Sequence, residues 1–309
     1  MSSVQCDRGT PFPFDSQDSA QGAGLLGRAP QIYWKKVYGM LKRLTSIDGY
    51  MDFIAEIGAD PDFHDPLRNE EQMQCNLLDA LNKPAHQVWG VFEGETIIGL
   101  FVFLILEEEA YMEMLVGLSR TLRAYEEMLS FLKGKYQGYQ ADFVYHAKNH
   151  LLHRLLQGEK VKFDTEQQKM VLKREVPYQS SHRIELYRPK YRKQYCAIHL
   201  EEGYWTADKV IDAPDRFRII LAIEKNEVVG YIDVTYKYEE NEPFDVFVKE
   251  EYRKRGYGKA MLAKAIALNG PKAMMLLVNV DNAAAIALYE SLGFVKSIGE
   301  NSITAHVCL

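Results

Sequence analysis

Val248-Lys249-Glu250-Glu251-Tyr252-Arg253-Lys254-Arg255-Gly256-Tyr257-Gly258-Lys259 is the stretch from which the rest of the 309-residue chain is best read. Phe244 to Val248 reads as a strand, and Gly256 to Leu268 reads as a helix. The two glycines between them permit backbone torsions and close approaches denied to larger residues. Such a turn at a helix start aims several backbone N–H groups into one space, where the helix dipole favours a pyrophosphate. Arg253, Lys254 and Arg255 add positive charge beside that space, and Lys259 can reach it. The spacing is not the three-glycine dinucleotide fingerprint, and the loop follows a hairpin rather than a first strand. Taken alone, the loop reads equally well as a basic turn capping a helix.

Downstream, Ala273 to Val280 reads as a strand, Ala283 to Leu292 as a helix, and Phe294 onward as a terminal strand. Asn282 is a good N-cap, since its side chain can accept from a free backbone N–H. Gly293 suits a helix stop, and Phe294 suits the core. Tyr289, inside the helix, reads as amphipathic packing with its hydroxyl at the core's edge. Upstream, Arg216–Glu224 and Val228–Tyr238 flank a short Lys225-Asn226-Glu227 turn and form a hairpin. Before it come a strand at His182–Tyr187 and a helix opened by Pro189. Glu239, Glu240, Glu242 and Asp245 crowd the start of the 244–248 strand.

Two stretches together resemble the GNAT N-acetyltransferase superfamily. Val248 to Leu262 is similar to its acetyl-CoA pyrophosphate motif, Arg/Gln-x-x-Gly-x-Gly/Ala after a strand ending in Val. Asn279 to Phe294 is similar to its second signature. The likeness is close over Arg183–Leu309 and holds only in outline before that. It implies acetyl-CoA as co-substrate, no metal, and direct attack by a primary amine of a small molecule or peptide. It implies that Val246, Val248, Arg253, Lys254, Arg255, Gly256, Tyr257, Gly258, Lys259 and Asn282 hold the cofactor. The backbone N–H near Val246 would receive the oxyanion, and Tyr289 would protonate the departing thiolate. Glu242, six residues before Val248, matches the position of a catalytic base in some members. A non-catalytic acyl-CoA-binding sensor or assembly protein is the alternative.

The first half repeats the order of elements. Asp142–Asn149 aligns with Met275–Asn282, an offset of 282 − 149 = 133 residues, which is one domain long. The expected fold is α/β (α+β): two tandem GNAT-like domains at 31–176 and 182–309, each a mixed, mostly antiparallel sheet flanked by helices. Residues 1–30 are expected to form a poorly ordered leader. The phosphate loop's counterpart begins at Leu118 and has no glycine before Phe131, and Glu126 and Glu127 would repel phosphate. The first domain is therefore expected to be degenerate.

Bulk properties narrow the class further. A net charge of −6 argues against nucleic acid and suits a cationic acceptor. Cys6, Cys75, Cys196 and Cys308 show no zinc or redox spacing and read as reduced thiols. His150 and His153 lie three apart on a helix, but no third ligand joins them at metal spacing. No apolar run is long enough for a bilayer, and the first residues lack signal-peptide order, so no membrane partner is expected and the cytoplasm is the default. Oligomeric state is open at this level.

Overall fold

The structure, a computed structural model, describes residues 40–67, 70–173, 177–200 and 205–309. The expected leader at 1–30 and residues 174–176, the end of the expected first domain, lie outside the described residues. The chain divides into two compact units: residues up to 144 with 148–163 and 305–309, and residues 145–147 with 164–304.

In the first unit the order is β1 (Met40–Arg43), α1 (Met51–Gly58), α2 (Glu70–Leu81), β2 (His86–Glu93), β3 (Thr96–Leu106), β4 (Tyr111–Leu118), α3 (Leu122–Lys135), β5 (Gln140–His146), α4 (His150–Gln157) and β6 (Val161–Phe163). β1 to β4 pair antiparallel in succession, and β4 pairs parallel with β5. Ile54, Ile57, Leu77, Val88, Leu100, Val102 and Val116 form its core. Sequence reading misses β1, a four-residue strand paired to the edge of β2.

The second unit contains β7 (Gln167–Leu172), β8 (Arg183–Leu186), α5 (Arg192–Cys196), α6 (Ala207–Asp212), β9 (Phe217–Glu224), β10 (Glu227–Thr235), β11 (Glu240–Asn241), β12 (Pro243–Val248), α7 (Tyr257–Asn269), β13 (Ala273–Asn279), α8 (Ala283–Glu290) and the greater part of β14 (Phe294–Cys308). β8, β9, β10 and β12 make a four-stranded antiparallel sheet. β13 pairs antiparallel with β7 and parallel with β11. The β9–β10 turn carries positive φ at Lys225 (49°) and Asn226 (68°), the mirror-image geometry that matches strand twist. Mostly antiparallel sheets flanked by helices are thus present, with parallel pairing at β4–β5 and β11–β13.

The repeat is visible in the elements. β5 and α4 span 140–146 and 150–157; β13 and α8 span 273–279 and 283–290, the same positions shifted by 133 residues. Asn149 accepts from the Leu152 N–H and Asn282 from the Ala285 N–H, each at 3.1 Å, so both helices start on the same cap.

Between Val161 and Lys173 the chain makes two strands, β6 and β7, separated by Asp164–Glu166 and belonging to different units. β7 packs between β13 and β14 within the second unit. One expectation needs correction: the cysteines are not all reduced, since Cys196 is free but Cys308 is disulfide-bonded.

Candidate active site

The site is built where two sheets of the second unit part. β11 is hydrogen-bonded to β13 only through Glu240↔Ala273 and Asn241↔Met274. One residue further on the chain joins β10 instead, as β12, with a register shift between Asp233 and Val234. From there β12 is the edge of the four-stranded sheet and β13 belongs to another. An edge strand carries a row of backbone N–H and C=O groups with no partner strand. The opening between β12 and β13 therefore offers a polar backbone to whatever enters it.

The loop of the opening sequence lies at the end of β12. Gly256 has φ +89°, a left-handed torsion that an L side chain adopts only at a cost. A Cβ there would also stand 3.3 Å from His182 Nε2 and 3.5 Å from the Tyr178 hydroxyl. Gly258 differs, because its φ is not in the left-handed range. A Cβ at 258 would meet only Leu288 at 3.6 Å and Val248 at 3.9 Å, ordinary contacts. The protein itself thus demands glycine at 256 but not at 258. α7 begins at Tyr257, so the first N–H groups after Gly256 have no intrahelical acceptor.

The side chains around the loop divide by role. Arg253 and Lys254 are exposed, and the Arg253 Nε donates to the Val248 carbonyl at 3.0 Å. Arg255 lies over the rings of Tyr252 and Tyr257, and its carbonyl is 2.8 Å from His182 Nε2. Lys259 sits over Tyr178. Tyr257 is buried with its hydroxyl bonded to Glu224, so only its backbone is available at the loop. Val246 and Val248 pack against the core that holds Tyr257, Ile286 and Tyr289.

Tyr289 is 8% exposed and packs edge-on against Phe294. Among the described residues its hydroxyl has no hydrogen-bond partner. Burial, and then the negative charge of Asp245, push its pKa up to about 12, so the phenol keeps its proton at neutral pH. Glu242 stands at the junction of β11 and β12. Its N–H donates to Thr235 Oγ1 at 2.8 Å, and its carbonyl accepts from the Thr235 N–H at 2.9 Å.

On the other face of β12 lies a network that sequence reading did not assemble. Asp233 on β10 is fully buried. Its Oδ2 accepts from the Tyr195 hydroxyl at 2.8 Å and lies 3.1 Å from His199 Nε2. The same His199 nitrogen is 3.9 Å from Asp245 Oδ2, which accepts from the Tyr231 hydroxyl at 2.6 Å. The only sequence signal was a charged residue inside the apolar run Val228–Val234. His199, just beyond α5, belongs to no motif. One donor atom each from His199, Asp233 and Asp245 lies within 4.8 Å of the others, a spacing open to a metal ion. The carboxylate oxygens facing His199 are, however, already acceptors from two phenols, the arrangement of a hydrogen-bonded network.

The matching positions of the first unit carry different side chains. At the 133-residue offset Gly256, Gly258 and Tyr289 become Arg123, Tyr125 and Leu156. Tyr125 is fully buried, donates to the Ser119 carbonyl at 2.5 Å and accepts from Asn149 Nδ2 at 2.8 Å. Its ring therefore bridges from the loop position to the capping Asn.

Known proteins share this architecture. A GCN5-related N-acetyltransferase from Sphaerobacter thermophilus superposes with a TM-score of 0.60 at 11% identity, covering 86% of this chain and 94% of that one. A tandem GNAT protein from the clavulanic acid biosynthesis pathway gives 0.57 at 12% identity, covering 86% and 97%. Residues 183–294 match the acetyltransferase (GNAT) family. The [ribosomal protein bS18]-alanine N-acetyltransferase of Escherichia coli (strain K12) is 44% identical over 54 residues, which are 16% of this chain and 36% of that protein. The chain thus matches about a third of the length of that curated relative. No helix among the described residues is long and apolar enough to cross a membrane.

Proposed function

We propose that the second unit moves an acetyl group from acetyl-CoA to a primary amine by direct attack on the thioester. The observation that carries this reading is Tyr289: a buried phenol, protonated at neutral pH, in the core against which Val246 and Val248 of β12 pack. The N–H groups opening α7 would receive the pyrophosphate, with Arg253, Lys254, Arg255 and Lys259 around it. Asn282 would bond the pantetheine or phosphate region in addition to capping α8. Val248 would line the channel, and the backbone N–H near Val246 would stabilise the developing oxyanion. Tyr289 would protonate the thiolate as the C–S bond breaks. Strand position proposes Glu242 as the base that frees the amine's lone pair.

The acceptor is proposed to be a small-molecule or peptide amine. The name of the bacterial relative makes an alanine-terminated peptide the first to try. The reading places the protein in the cytoplasm, where acetyl-CoA is available, and gives the first unit no cofactor, because Tyr125 stands where the second unit has Gly258. A non-catalytic acyl-CoA-binding role is the alternative. It gives no use to a buried, protonated phenol.

Thiol release from acetyl-CoA is the test, run with an alanine-terminated peptide, a lysine peptide and a diamine. Tyr289→Phe is expected to lower kcat by about 10²-fold or more while acetyl-CoA affinity stays within a few-fold. Turnover and pH profile unchanged in that variant would remove Tyr289 as the acid. Acetyl-CoA binding without release on any amine would favour the alternative.

A further inference from the structure

The buried network behind β12 has more in it than packing requires. Replacing a buried ionic set by apolar residues is often neutral or stabilising, so a protein that keeps one gains no stability by default. Here Asp233 is fully buried, and its Oδ1 has no hydrogen-bond partner among the described residues. The arrangement is also graded in exposure. The side chains of His199 and Asp233 are 1% and 0% exposed, whereas that of Asp245 is 24% exposed. Asp245 is thus the face of the network that solvent reaches, and it lies on the edge strand of the opening.

Its partners come from several elements. His199 follows α5 and Tyr231 is on β10; both lie beside the carboxylate. Tyr195 on α5 and Asp233 on β10 stand one step behind. Tyr289 on α8 feels the Asp245 charge from the other side. Burial raises the Asp233 carboxyl to about 6, opposed by its hydrogen bonds from His199 and Tyr195. Buried Tyr195 and Tyr231 are pushed well above the ordinary phenol range and remain donors.

We propose that Asp245 takes the proton of the acceptor amine, and that His199 and Asp233 hold it in place as positioning residues. This rests on the acetyltransferase reading above and moves the base from Glu242 to Asp245. Asp245 lies on the edge strand of the opening with its side chain 24% exposed. Glu242 is instead tied through its backbone to Thr235. The step balances. An ammonium proton passes to an Asp245 oxygen, and the freed nitrogen lone pair attacks the carbonyl carbon. The tetrahedral intermediate collapses with loss of the C–S bond; the second nitrogen proton and the one held by Asp245 pass to solvent, the thiolate takes the proton of Tyr289, and the phenol regains one from solvent. One proton leaves overall. The His199 Nε2–H between the two carboxylates steadies the Asp245 charge until the proton arrives.

The full chain is assayed with acetyl-CoA and the amine panel above, from pH 5 to 9. Asp245→Asn is expected to lower kcat by about 10²- to 10³-fold and to remove the acid limb of the rate profile, with acetyl-CoA affinity and thermal unfolding little changed. His199→Gln is expected to move that limb, which a packing role alone would not do, and Asp245→Glu to recover part of the rate. An Asp245→Asn enzyme that keeps its rate while Glu242→Gln loses it overturns the proposal and leaves the acetyltransferase reading standing. Should Asp245→Asn fail to fold, an unmoved limb in His199→Gln has the same overturning force. A stoichiometric divalent ion bound by these residues, with activity lost on chelation, also overturns it. A wild type that neither binds acetyl-CoA nor releases thiol overturns both readings together.

Discussion

At the scale of single residues, the proposed chemistry turns on carboxyl and phenol groups whose surroundings separate their proton affinities. Tyr289 keeps its proton because it is buried and faces an anion. Asp233 binds its proton more tightly than usual because it is buried, despite two hydrogen bonds that favour the charged form. The latter has a measurable consequence for stability. With its carboxyl raised from 3.8 to about 6 on folding, the folded state holds this proton longer than the unfolded chain. The contribution is therefore fully present below pH 4 and is lost as pH rises through about 6. Denaturant titrations across that window should show the wild type losing on the order of 2–3 kcal/mol that Asp233→Asn does not lose. Parallel curves for the two proteins would mean that Asp233 is no more basic in the fold than outside it. Very little of this was legible in the sequence. Tyr289 and the acidic group at 239–245 stood out by their spacing from recognisable motifs. Asp233 and His199 are 34 positions apart and meet only because β10 runs beside the end of α5.

At the scale of elements, the junction of β12 and α7 shows how one short sequence can serve two ends. Gly256 is required by the backbone, since its φ is +89°. Gly258 sits inside the first turn of α7 with room for a methyl group. A helical glycine in such a place costs about 0.5–1 kcal/mol relative to alanine, and no contact within the protein offsets that cost. The two substitutions should therefore diverge. Gly256→Ala is expected to destabilise by about 1–2 kcal/mol, the cost of a left-handed non-glycine residue. Gly258→Ala is expected to raise stability by about 0.5–1 kcal/mol and yet weaken acetyl-CoA binding, because the methyl group intrudes where the pyrophosphate must approach. Calorimetric binding and thermal unfolding on both variants decide it. A Gly258→Ala protein that is more stable and binds equally well would show that the loop does not approach its ligand at 258. Strands, helices and caps of this kind were largely readable: Asn282 as an N-cap, the Lys225-Asn226 turn, and the order of the elements. The break at Asp164–Glu166 was not. Three polar residues between two short β-rich runs look the same whether the strand bulges or ends.

At the scale of the whole molecule, pairing sets the units, and pairing is what linear inspection sees least well. The 133-residue repeat places one copy of each element in each half, which invites a single cut between them. The contacts do otherwise. β7 belongs by position to the first half, yet it pairs with β13 along Val171↔Met275 to Gln167↔Asn279 and with β14 along Leu172↔Phe294 to Gln167↔Ser302. Met170 on this strand is completely buried in the core that also holds Tyr289 and Phe294. Residues 305–307, at the chain's far end, pair with β6 in the first unit. A fragment cut at the apparent repeat boundary, residues 182–309, would lack β7 and leave β13 and β14 with facing edges and an unfilled core. A fragment of residues 164–309 keeps the strand. The longer fragment is expected to unfold cooperatively and to bind acetyl-CoA, and the shorter one to be aggregated or molten, with loss of near-ultraviolet circular dichroism. Adding a peptide of residues 164–176 to the shorter fragment should recover part of the signal, since the strand supplies pairing and Met170 rather than a covalent necessity. If 182–309 folds and binds as well as 164–309, β7 is dispensable to the second unit and the repeat boundary is the true domain boundary.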